Sequence, residues 1–257
     1  MAYENFIIYE QPLNEHIRLC LRLEYLFQQA QYHMNLEAKW DSEASLSAIF
    51  NILMAIDRPD LKNKLAQSLN QYAACLLEME NLPDINKQRL ARLLEQVHYT
   101  IDVLHSLHGK IGQELRENEF LMAVYQRSLT PGGTCGFNAP AYHSWLQKPF
   151  EERKKKLVEW IETFKGLEIV INLLLKLTRS SVKPSDEIGY TGFYQTNLDP
   201  TLSYQMIRIL IPQNYNVFPE ISVGRHRLTI HFLELNVEGR SSQTKKDIAF
   251  KVAFCKL

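Results

Sequence analysis

The spacing of apolar residues changes once along this 257-residue chain, near residue 180, and that change narrows the folds open to it. From about Pro12 to Arg179 apolar residues recur at intervals of three and four, the spacing of helices that bury one face. From Val182 to the end they alternate over short runs, the spacing of strands. The opening stretch "ENFIIYE" is also strand-like, and because it precedes the helices it is expected to join the C-terminal sheet. The sequence therefore predicts an α+β protein of two lobes. One is an α-helical bundle domain over 12–180. The other is an antiparallel β-strand domain built from 1–11 plus 181–257. No internal repeat or low-complexity tract interrupts this division.

Within the helical part, Pro12 suits a first helical position, so helix one is predicted from there through "LNEHIRLCLRLEYLFQQAQ". It is apolar on two faces, with Arg18 and Arg22 sharing the remaining polar one. A second helix is predicted after the capping residues Asp41-Ser42, ending at Asp57-Arg58-Pro59 because a residue before proline avoids the helical region. Pro59 then starts a third toward Leu77. Leu90, Leu93, Leu94, Val97, Ile101 and Leu104 form the stripe of a fourth. A fifth covers roughly 113–128, a short one 142–146, and a long one 150–179. Strands are predicted at 191–195, 204–210, 228–233 and 248–254.

Composition excludes several functions. Lys+Arg and Asp+Glu both count 29, which argues against a general nucleic-acid coat. The most apolar window, 167–177, is far shorter than a membrane span and is broken by Glu168, Asn172 and Lys176. The N-terminus has neither a basic leader nor a long apolar core, so a soluble cytoplasmic protein is expected, without membrane insertion. The cysteines Cys20, Cys75, Cys135 and Cys255 are too scattered for a CxxC site and are read as free thiols.

Candidate chemistry is thin. Cys135 and His143 flank a glycine-rich loop but lack any nucleophile signature. "PGGTCG" lacks the Gly-Lys-Ser/Thr ending of a phosphate loop. His98, His105 and His108 fall on a rough line, with no carboxylate or cysteine to complete a metal set. The run "EERKKK" reads as a solvated helix face paired Glu151/Lys155 and Glu152/Lys156. No catalytic residue, metal or cofactor is expected, and the chain is not expected to be an enzyme.

One row of charge is less easily dismissed. In "SVGRHRLTIHFLE", Ser222 to Glu234, Gly224 makes a turn and a strand follows. Leu228, Ile230 and Phe232 fall on one face; Arg225, Arg227, Thr229 and His231 fall on the other. Such a row is either the wet side of a sheet or a docking strip for something acidic. Arginines on a rigid strand offer planar donors suited to carboxylates. Acidic residues are expected to be absent from that face.

The stretches "YEQPLNEHIRLCLRLEYLFQQ" (9–29), "LRENEFLMAVYQR" (115–127), "TPGGTCGFNAPAYHSWL" (130–146), "GFYQ" (192–195) and "FPEIS" (218–222) resemble, in order, the ZapD family of bacterial cell-division proteins. The landmarks span nearly the whole chain. The resemblance implies a helical domain plus a β domain, a homodimer, no enzymatic activity, and binding of FtsZ. It further implies cross-linking of FtsZ filaments at the mid-cell division ring, through a basic surface that grips the FtsZ C-terminal tail. Matched through the same landmarks, the residues it points to are Arg22, Arg58, Arg116, His143 and Arg227, beside Arg225 and His231 of the strip. His231 departs from the arginine expected there, and Asn138 from an expected aspartate. Histidine titrates near neutrality, so a cationic contribution from position 231 would depend on pH.

A two-fold homodimer would double one strip per chain into the two sites a cross-linker needs. Its apolar surface is expected on the first helix or on 167–177. The rival reading is a nucleic-acid-binding module that uses the same basic strand, which would need stacking aromatics beside it.

Overall fold

A computed structural model describes residues 5–81, 86–107 and 109–256. In chain order the elements are β1 (Phe6–Pro12), α1 (Glu15–Met34), α2 (Lys39–Ala55), α3 (Leu61–Glu78) and α4 (Lys87–Ser106). Then come α5 (Gln113–Glu117), α6 (Glu119–Ser128), α7 (Pro140–Leu146), α8 (Phe150–Glu162) and α9 (Lys165–Ser180). The strands β2 (Ser185–Gly189), β3 (Phe193–Asn197), β4 (Tyr204–Pro212), β5 (Val217–Val223), β6 (Arg227–Glu234), β7 (Ser242–Gln243) and β8 (Ile248–Lys256) follow. The α+β class read from the periodicity is what the chain adopts. Backbone contacts divide it into two compact units, 1–18 with 175–257, and 19–174.

The first unit is a pair of antiparallel sheets ordered β1-β4-β8-β2 and β3-β6-β5, with β7 on β6. Alternation explains why they stack. Ile207, Ile209, Ile248, Phe250 and Val252 of the first sheet meet Leu228, Ile230 and Phe232 of the second in one buried cluster. The Phe232–Phe250 and Tyr194–Phe250 rings, centred 4.9 and 5.1 Å apart, join the two layers. Burying each such aliphatic or aromatic side chain stabilises the fold by about 1.5–3 kcal/mol. The chain enters the second sheet through a two-residue turn at Thr191-Gly192, with φ of 48° and 73°. Both central residues with positive φ make the turn whose twist matches the strands it joins. A side chain at Gly192 would meet the Thr244 carbonyl at 2.5 Å. The "GFYQ" landmark is thus the turn and start of β3, which lies two residues later than the sequence predicts.

On this unit Glu10 holds Arg208 at 2.9 Å and Arg179 at 2.7 Å, all three largely shielded from water. Pro12 does not start a helix. It ends β1, paired with Met206, and Asn14 caps α1 by accepting the Ile17 N–H at 2.8 Å. An edge strand tolerates proline, whereas the helix start is fixed by the side chain that satisfies its free N–H groups.

The helical unit corrects four further expectations. Asp41 and Ser42 are not the start of α2, which begins at Lys39 without a side-chain cap; Asp41 is bound to His33 at 2.8 Å instead. The third helix begins at Leu61, after Pro59. The helix expected over 113–128 breaks at Asn118, whose side chain accepts the Leu121 N–H and starts α6. The long helix over 150–179 breaks between α8 and α9 at Thr163-Phe164. There Phe164 turns fully inward against Phe27, with ring centres 6.4 Å apart. The core also holds a stack of Tyr142, Trp145, Trp160 and Phe120.

The "EERKKK" run contains the least expected residue. Arg153 is 3% exposed. It donates to the carbonyls of Glu37 (2.7 Å), Ala38 (3.4 Å) and Lys148 (3.1 Å) and to the Ser42 hydroxyl. The neighbouring surface pairs are Lys148–Glu152 and Lys156–Glu159, not those the spacing predicts. Leu167, Val170, Ile171 and Leu174 of α9 are fully buried within the single chain. That removes most of the 167–177 window as a surface for a second copy.

Candidate functional site

The β5–β6 hairpin carries the basic row. Leu228, Ile230 and Phe232 are fully buried, as their alternation predicts. Arg225 is not on the strand. It sits with His226 in the turn, where the Gly224 N–H donates to the Arg227 carbonyl at 2.9 Å, and β6 starts only at Arg227. Arg225 and Arg227 are exposed. Among the described residues neither side chain has a hydrogen-bond or ion-pair partner.

Arg227, Thr229 and His231 share the outer face of the sheet. The register sets Asn197, Gln195 and Phe193 beside them on one side, and Ser222 and Glu220 on the other. Glu220 lies directly across from His231, so that face is not free of acid, contrary to the sequence expectation. The carboxylate comes from β5, a strand that period alone does not reveal. His231 is half-buried against the Phe193 ring, 5.1 Å between centres. Its Nδ1 lies 2.8 Å from the Gln243 Oε1. Gln243 gives its own amide N–H to the Thr191 carbonyl at 2.9 Å, so its oxygen is the acceptor and Nδ1 the donor.

Beside the turn, Arg225 and Arg18 line a cleft of about 400 Å³ whose apolar walls include Leu13, Leu198, Leu202 and Tyr204. Arg18 also donates to the Glu15 carboxylate at 2.8 Å. The helical period places Arg18 on the polar face of α1 but gives no sign that it shares a cleft with Arg225. The two residues come from opposite ends of the chain, and no periodic pattern links them.

The remaining site residues belong to the helical unit. Arg22 is exposed on α1, on the same helix as the exposed Tyr25 and Tyr32. Arg58 follows Asp57 in the chain, and Arg116 faces Asp57. Arg116 is delivered by α5, whose preceding Gly112 has φ 74° and no room for a side chain against Leu53 and Phe164. Its guanidinium donates to the Leu53 carbonyl at 2.9 Å and lies 3.6 Å from Asp57. Lys110 binds Asp57 at 2.5 Å. That hydrogen bond, then the charge of Lys110, holds the Asp57 carboxyl below its usual range. Lys62 nearby donates to the carbonyls of Leu107 and Gly109. Asp57, Arg58, Lys62 and Lys110 line a cleft of about 410 Å³.

His143 is exposed on α7, its ring resting against Gly136. Cys135, one residue earlier, accepts from the Asn138 amide at 3.4 Å. His98 and His105 are exposed on α4; His108 lies outside the described residues. Among the described residues no helix is long and apolar enough to cross a membrane.

A family model described as ZapD, cell division protein, matches residues 21–231. "Cell division protein ZapD" of Coxiella burnetii (strain RSA 331 / Henzerling II) is 40% identical over 253 residues, covering 98% of each chain. The protein of that name from Azoarcus sp. (strain BH72) is 38% identical over 251 residues, with 98% of this chain and all of the relative covered. The one from Methylococcus capsulatus is 35% identical over 254 residues, covering 99% of this chain and all of the relative.

Proposed function

Because the chain belongs to the ZapD family of cell division proteins, we propose that it is a non-enzymatic factor that binds the acidic C-terminal tail of FtsZ. As a homodimer it cross-links FtsZ filaments at the cytoplasmic mid-cell ring. The observation that carries this reading is the pair Arg225 and Arg227. Both are exposed and without partners among the described residues, and Arg225 borders a mainly polar cleft into which Leu198, Leu202 and Tyr204 also reach. An extended acidic segment would place carboxylates on these guanidinium groups and an apolar side chain in the cleft. One such site per chain binds weakly. Two in a dimer gain through effective concentration along a filament. With the 167–177 window largely consumed by the core, α1 with its exposed Tyr25 and Tyr32 is the dimer surface we favour.

The test uses Arg225→Glu with Arg227→Glu. The double variant should stay folded and dimeric, lose tail-peptide affinity by roughly tenfold or more, and fail to pellet FtsZ polymers at low speed. Bundling at the wild-type level would remove the hairpin from the mechanism. A gel shift with random single strands addresses the nucleic-acid reading.

A further inference from the structure

A pocket of opposite charge lies wholly within the helical unit. Trp40, Glu43, Ser47 and Phe50 of α2, at intervals of three and four, share one helix face. With Thr130 and Thr134 of the loop between α6 and α7, and Tyr142 of α7, they line a pocket of about 470 Å³. Trp40 is 79% exposed, whereas Trp145 and Trp160 are each 8% exposed. The core claims two tryptophans and leaves this one at the pocket.

Glu43 is the only charged residue lining the pocket. Its Oε1 accepts from the Thr134 hydroxyl at 3.1 Å, and among the described residues its second oxygen has no partner. Tyr142 is 2% exposed, stacked on Trp145 with ring centres 5.9 Å apart. Its hydroxyl faces the pocket with no hydrogen-bond partner among the described residues. Burial, then the negative charge of Glu43, pushes that hydroxyl above its usual range. The hydroxyl is not among the buried unpaired atoms, so it is open to the pocket, where a ligand that offers a donor and a positive charge complements it and Glu43.

We propose that this pocket receives one arginine side chain presented by a polypeptide partner. A single carboxylate matches a single positive charge, whereas a polyamine would bring charges the pocket cannot pair. A guanidinium is planar and weakly hydrated, so it stacks on an indole face such as Trp40 while donating in its own plane to Glu43 and to the Tyr142 oxygen. No residue of the pocket belongs to the β5–β6 hairpin, so this site stands or falls apart from the proposed tail-binding surface.

The experiment is a fluorescence titration of the full chain with Ac-Gly-Arg-Gly-NH2, because Trp40 is the tryptophan that solvent reaches. The peptide should shift the emission saturably. Its citrulline analogue, of the same shape without charge, should bind at least about fivefold more weakly, and so should the arginine peptide with Glu43→Gln. That variant keeps an acceptor for Thr134, and circular dichroism checks its fold. Loss of the shift in Trp40→Ala would tie the signal to the pocket. Equal binding of the citrulline peptide, an unaltered titration in Glu43→Gln, or no saturable shift would overturn the assignment. A smaller sedimentation coefficient for Trp40→Ala would put a second copy of the chain in the pocket, and would overturn the assignment to a separate partner.

Discussion

The basic residues around Asp57 and those at the β5–β6 turn carry the same charge but are held differently. Arg116 is anchored to the Leu53 carbonyl and faces Asp57, Lys110 binds Asp57, and Lys62 is tied to two carbonyls. Arg225 and Arg227 have no such ties among the described residues. A guanidinium already bonded to backbone carbonyls gives up those bonds before it can bind a partner, so its net contribution to binding is small. One without ties exchanges only water. The difference teaches that a cluster of positive charge marks a docking surface only where its donors are unspent. On that ground the hairpin, not the Asp57 cluster, is the better candidate for holding an acidic tail.

Substitutions at the tied and untied residues should therefore separate stability from binding. The largest expected effect lies at Arg153, the most fully tied. Arg153→Ala would leave the carbonyls of Glu37, Ala38 and Lys148 without their donor. We expect a loss of about 3 kcal/mol in urea unfolding. A loss under about 1 kcal/mol would mean that water replaces the guanidinium and that being tied does not measure structural importance.

Arg116→Ala comes next. It removes a half-buried donor from the Leu53 carbonyl, and about 1–2 kcal/mol of stability should go with it. Tail-peptide affinity should stay within about twofold of the wild type once the protein is kept folded. A tenfold loss of affinity at unchanged stability would reverse the comparison and return the Asp57 cluster to the binding surface. At the hairpin the pattern should invert. Arg225→Ala and Arg227→Ala should each change stability by about 0.5 kcal/mol or less. Each should also flatten the dependence of tail binding on salt, because exposed charge pairs are screened over about 8 Å at 0.15 M. Titrations at two salt concentrations check this.

Much of the fold was readable in the sequence because period reports burial. Leu228, Ile230 and Phe232, and Ile248, Phe250 and Val252, alternate and are buried. What period does not report was missed. β5 contains Pro219, which argues against a central strand, yet β5 is at a sheet edge, where a missing N–H costs little. The breaks at Asn118 and Thr163 carry no proline and are set by a cap and by the inward turn of Phe164. At the site, Arg227 was legible and the place of Arg225 was not, because a turn shifts where the alternation begins. The period alone makes Arg153 a solvated residue, since its five neighbours in "EERKKK" are all charged and surface-seeking; the carbonyls of Glu37, Ala38 and Lys148 explain its burial.

The smallest expected effect concerns His231, where the family resemblance leads one to expect arginine. His231→Arg adds a permanent cation to the row, and the simplest expectation is tighter tail binding. The register argues otherwise. Glu220 stands directly across the strand pair from position 231, and opposite charges so placed stabilise a sheet by about 0.2–1 kcal/mol. The new guanidinium would be spent on Glu220, as Arg116 is spent on Asp57. The variant should therefore gain a few tenths of a kcal/mol in urea unfolding, while tail affinity stays within about twofold. Adding Glu220→Gln to His231→Arg should release the cation, and tail affinity should then rise by about twofold to fivefold. If the single variant alone gives that rise, Glu220 does not neutralise the row, and the unspent surface extends from the turn along the whole of β6.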